Sequence, residues 1–99
     1  MLKTNDIVYI YIADLEKSIN NLGFSEDRLG KIININPVEI NGQQEGIYII
    51  KSVTNKEWKI PSYSNGFKIC DVNELTIAIR YSNMDEDKKS KILEKILNM

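Results

Sequence analysis

The chain of 99 residues contains no histidine. That removes Ser-His-Asp and Cys-His arrangements, imidazole acid-base chemistry and every His-based metal site. Cysteine occurs once, as Cys70, so there is no internal disulfide and no Cys₄ zinc site. A lone thiol fits a reducing compartment, which predicts the cytoplasm, and its place after Ile69 in an apolar run predicts a packing role. Neither a Gly-x-Gly-x-x-Gly fingerprint nor a phosphate-binding loop with its Lys-Ser/Thr ending is present.

Charge of one sign is lacking too. Lysine and arginine number 13 against 14 acids, a net charge of −1, so no long-range field draws the chain toward polyanions or membranes. The longest apolar run, Ile7 to Ala13, is far too short for a bilayer and ends at Asp14. No membrane segment and no signal peptide is read.

What remains is enough for one globular domain: 42% of residues are hydrophobic and 27% charged. The 17 Ile, 11 Asn and 11 Lys have codons that can be written in A and T alone, which suggests an AT-rich genome such as a low-GC bacterium or its phages.

Ile7 to Ile12 is β-branched or aromatic throughout and predicts a strand apolar on both faces. Asp14 caps an expected short helix carrying Leu15, Ile19 and Leu22 and stopped by Gly23, and Phe24 to Gly30 reads as loop. A second strand from Lys31 to Ile40 should be bulged or at an edge near Pro37. Asn41-Gly42 is a turn. A third strand follows from Gly46 to Val53, and a fourth from Trp58 to Tyr63, ending at or before Pro61. After the turn Ser64-Asn65-Gly66, Phe67 to Cys70 and Thr76 to Tyr81 alternate as strands, with a 3₁₀ turn over Asp71 to Leu75. The tail, Met84 to Met99, is an amphipathic helix with Ile92, Leu93, Ile96 and Leu97 on one face, capped by Ser82 or Asn83.

Strand, long loop, three meander strands, 3₁₀ turn and final strand is the element order of SH3-like small barrels. The chain resembles that superfamily over residues 5 to 81, in Asn5-Asp6-Ile7-Val8-Tyr9, Gly30-Lys31-Ile32, Gly46-Ile47-Tyr48-Ile49-Ile50, Trp58-Lys59-Ile60-Pro61 and Val72-Asn73-Glu74-Leu75. The resemblance implies a mainly β fold, an SH3-like small antiparallel barrel with the C-terminal helix (residues 84 to 98) added. Trp58 stands only three residues before Pro61, and the start at Ile7 differs from polyproline-binding domains, so a KOW-like or Tudor-like variant fits better. Such domains bind RNA, DNA or protein according to their surfaces.

Two loops carry the candidate contact residues: Phe24 and Arg28 in the first, and Trp58, Lys59, Tyr63, Phe67 and Lys68 in the second. Trp and Tyr give anchor area at small entropic cost. If Lys51, Lys56, Lys59, Lys68 and Arg80 shared a face with these rings, single-stranded nucleic acid would fit instead. The Asp85-Glu86-Asp87 cluster reads as a dipole-matched helix start, not as an acid-base site. The expectation is a non-enzymatic protein-binding module with no metal and no cofactor, of the phage or mobile-element inhibitor kind. The alternatives are a KOW-like nucleic-acid binder and a small-ligand sequestering protein; the tail stripe should pack into the core, and a homodimer follows only if it faces a second copy of the chain instead.

Overall fold

In the computed structural model, which describes residues 2–99, β-branched runs make strands where expected. They are β1 (Ile7–Ile12), β2 (Leu29–Ile40), β3 (Gln43–Ser52), β4 (Glu57–Pro61) and β5 (Phe67–Asp71). All pairs are antiparallel, in one sheet of order β4-β3-β2-β1-β5. Asn41 and Gly42 both take positive φ, 52° and 79°, forming a two-residue turn that pairs Ile40 with Gln43. The irregularity expected at Pro37 falls earlier, where the register shifts between Ile32 and Asn34. Beyond Lys31, β2 has β3 as its only partner strand among the described residues, so Pro37 sits on an edge, where its missing N–H costs nothing.

The sheet is not a closed barrel. Its outer strands β4 and β5 make no ladder with each other, and the long β2–β3 hairpin projects so that the molecule measures 46 × 24 × 21 Å. The expected final strand is also absent. Val72–Arg80 is a helix, α2, opened by Asp71, whose carboxylate accepts from the Glu74 N–H at 2.8 Å. Leu75 and Ile79, four apart, turn inward and are fully buried, which a strand from Thr76 could not achieve with the same neighbours.

The short helix is found. α1 (Leu15–Lys17), capped by Asp14 through Lys17 N–H at 3.0 Å, widens into a π turn over Ser18–Leu22 and stops at Gly23, φ 81°. Ile19 is buried, whereas Leu22 is exposed. The tail helix α3 (Glu86–Leu97) starts later than expected, with Asp85 as its cap. Ser82 cannot serve, because its hydroxyl donates to the Ile79 carbonyl at 2.7 Å, closing α2 instead.

These elements cover β1 on both faces. Tyr9, Leu29 and Cys70 meet Ile19, Leu75, Ile79, Ile92 and Ile96 under the helices. Val8, Ile10, Ile32, Ile50 and Ile60 form a second cluster on the other face, over which the sheet curls. No helix among the described residues is long and apolar enough to cross a membrane.

Candidate protein-binding surface

The two loops that carry the candidate residues meet. Trp58 Nε1 donates to the Asp27 carbonyl at 2.7 Å, and Thr54 Oγ1 donates to Asp27 Oδ1 at 2.5 Å, pinning the 3₁₀ turn Glu26–Arg28 to the β3–β4 corner. Trp58 is spoken for on other sides as well. Phe67 packs against it edge-on, with centroids 5.3 Å apart at 68°, and Lys56 Nζ stands 4.3 Å over its ring. Both aromatics pack on the Val8 cluster. Their first work is therefore to fill the curl of the sheet, from β4 on one side and β5 on the other.

Phe24 is similarly committed. It stacks on buried Tyr9 at 5.2 Å and 14°, and the Tyr9 hydroxyl accepts from the Ser25 N–H at 3.0 Å. Arg28 is half-buried at the end of the 3₁₀ turn. That leaves Tyr63, at 44% exposure, with Lys59 and Lys68 as the solvent-facing members of the candidate set.

Strand alternation separates cations from rings. Trp58 pairs with Ile50 and Lys59 with Ile49, so the indole and the ammonium point to opposite faces of β4. Phe67, opposite Ile12, and Lys68, opposite Tyr11, are divided in the same way on β5. Lys51 lies beside Glu57 and directly opposite Lys31, on the face away from Trp58. Of the basic residues in this half, Lys56 is the one seated on a ring, and that ring is already packed.

Between the unpaired edges of β4 and β5 lies a groove of about 270 Å³. Leu2, Tyr48, Phe67 and Ile69 supply its apolar lining and Ser62 and Ser64 its polar one, while Lys68 borders it from β5. Tyr63 lies in the turn between Ser62 and Ser64, both of which line the groove. Tyr48 and Leu2 were not legible as site residues. Tyr48 looks like any strand aromatic until its pairing with Ile60 turns it toward the curled side.

On the helix side of the sheet, burial is the largest influence on the Cys70 thiol and the Tyr9 phenol. Burial, then the charge of Glu74, pushes the Cys70 thiol up to about 12, and burial raises the Tyr9 phenol against the lowering effect of the Ser25 N–H. The sign of the consequence is fixed. An unfolded thiol ionises near 9.0 while the folded one keeps its proton to about 12, so the unfolded chain binds fewer protons across that window. Stability should fall as pH rises from about 9, and urea midpoints measured between neutral pH and about pH 10.5 should show it. The Cys70→Ala variant, weaker at neutral pH, should lose less over the same range. Equal alkaline losses in both proteins would refute the assignment to Cys70.

Among the described residues no three His, Cys, Asp or Glu side chains group as a metal ion requires. No family model, curated protein or solved structure matches the chain.

Proposed function

We propose that this chain is a non-catalytic protein-binding module that takes an extended segment of its partner into the seam between β4 and β5. The observation that carries the reading is the pair of unpaired strand edges flanking an apolar groove. Free N–H and C=O groups along an edge recruit a further strand, and alternate side chains of that strand would enter the groove. The Ile-, Asn- and Lys-rich composition, which AT-rich codons can write, supports an origin on a mobile element and an inhibitor that acts by occupying a host protein's surface. Kinship with SH3-like barrels of the KOW or Tudor kind belongs to the same reading, supported by the meander from β1 to β4 and the return of β5 beside β1.

The test is a tagged pull-down from the native host at two salt concentrations, with and without nuclease. A discrete protein should be recovered by the parent and lost by Tyr63→Ala combined with Lys68→Ala. Both side chains are exposed, so the double variant should melt like the parent. Phe67→Ala is unsuitable, because removing that ring also empties the space beside Trp58. Recovery that nuclease abolishes and that falls steeply with salt would assign the surface to nucleic acid.

A further inference from the structure

Ile77 is 57% exposed and Tyr81 81% exposed, on the side of α2 opposite buried Leu75 and Ile79. A helix of a single domain usually turns polar residues outward there. With Leu15 and Ala78 they line a groove of about 660 Å³ between α1 and α2, and its other lining residues are Asp14, Glu16 and Glu74. No cation lines it, and none of the three acids makes an ion pair among the described residues. Arg80 and Lys17, on the same helices, do not line the groove. Two of the acids sit on fixed backbone. Asp14 is fixed as the α1 cap by a γ-turn in which its N–H donates to the Ile12 carbonyl at 2.7 Å, with Ala13 at φ 62°, and Glu74 is anchored through its N–H on Asp71. Their fields overlap, since Glu74 and Asp14 both help raise the Tyr11 phenol after burial and Cys70.

We propose that the α1–α2 groove docks a basic amphipathic segment of a partner protein, with an apolar side chain against Ile77 and Tyr81 and flanking Lys or Arg on Asp14, Glu16 and Glu74. Complementarity of charge selects this occupant: unpaired carboxylates repel phosphates and anionic lipid surfaces, and apolar anchors between charges suit a helix laid in a groove. The surface is distinct from the β4–β5 seam, so either can fail without the other.

The experiment is a titration of the ¹⁵N-labelled full chain at physiological salt with a synthetic Leu/Lys amphipathic peptide of about 14 residues, long enough to be helical when bound. A Leu/Glu peptide of the same pattern is the control. Amide shifts are expected at Asp14–Lys17 and Glu74–Tyr81 with the first peptide and none with the second. Ile77→Ser and, separately, Glu16→Lys with Glu74→Lys should each weaken binding by about tenfold or more. Glu39→Lys, exposed on the far hairpin, should leave it unchanged. Tyr81→Ser replaces Ile77→Ser if the latter melts early. The proposal is overturned by absence of binding, by an equal effect of Glu39→Lys, by shifts centred on Asp85 to Asp87, or by sedimentation showing a second copy of the chain already covering the groove.

Discussion

Gly30→Ala should cost this domain more than about 3 kcal/mol and leave it largely unfolded at modest urea, the largest loss expected from a single methyl group here. Gly30 lies in the stretch where β2 has a neighbour on both sides, opposite Val8 of β1 and Ser52 of β3. A Cβ built on it falls 2.3 Å from the Lys51 carbonyl oxygen and 2.8 Å from both Lys51 C and Ser52 Cα. All three are backbone atoms, so no rotamer change relieves the contact. Nor can the β3 end drift away, because Val53 N–H donates to the Leu29 carbonyl at 2.9 Å and Ser52 Oγ accepts from Lys56 N–H at 2.9 Å, tying strand to turn. Gly46→Ala is the internal control. Its Cβ would meet Ile35 Cγ2 at 3.2 Å, a side-chain methyl that can give, so the cost should stay below about 1.5 kcal/mol. Denaturant midpoints of the two variants, at unchanged m, decide the matter. A Gly30→Ala protein within about 1 kcal/mol of the parent would mean that β2 and β3 do not approach this closely.

That close approach also bears on what could be read from the chain beforehand. Locally encoded features were legible: the two-sided strand at Ile7–Ile12, the Asn41-Gly42 turn, and the Asp14 cap with its Gly23 stop each depend on a handful of adjacent residues. Long-range features were not. Gly30 reads as a loop glycine until β3 is laid against it, and whether β4 meets β5 depends on the coil of a whole sheet, which no short window records. The strand expected at Thr76 to Tyr81 failed for a different reason. Thr76-Ile77-Ala78-Ile79-Arg80 alternates over too few residues to separate a period of 2 from one of 3.6. The deciding signals lie upstream, in Asp71 with Glu74 three residues on and in the spacing Val72, Leu75, Ile79. The difference between strand and helix matters for function. On a strand Ile77 and Ile79 would share a face, whereas on the helix they oppose each other, and only then does Ile77 stand out as an exposed apolar residue among acids. At the other surface, Trp58 and Phe67 drew notice as turn aromatics, and the curl of the sheet put them to use inside.

Ile96→Ala should destabilise the protein by about 2–4 kcal/mol while Leu97→Ala, one residue away, shifts it by no more than about 0.5 kcal/mol. From sequence both belong to one apolar stripe with Ile92 and Leu93. The structure divides them: Ile92 and Ile96, four apart, join the cluster of Tyr9, Leu75 and Ile79, Leu93 packs at its margin, and Leu97 is 83% exposed. Helix α3 is held in this rotation by contacts at both ends. Lys89 Nζ donates to the Arg80 carbonyl at 2.9 Å, satisfying the last turn of α2, and Lys95 pairs with Glu26 in the 3₁₀ turn. Exposed ion pairs of the second kind contribute little by themselves, so the docking energy resides in Ile92 and Ile96. The contrast between neighbouring residues is what makes the test sharp, since a general loss of helix propensity would act on both, and alanine raises propensity at either position. Thermal melts of the two variants with sedimentation of the parent complete it. Equal and small effects would place α3 off the sheet. Equal and large effects would show that Leu97 is also covered, and a parent sedimenting as a dimer would then name a second copy of the chain as the cover.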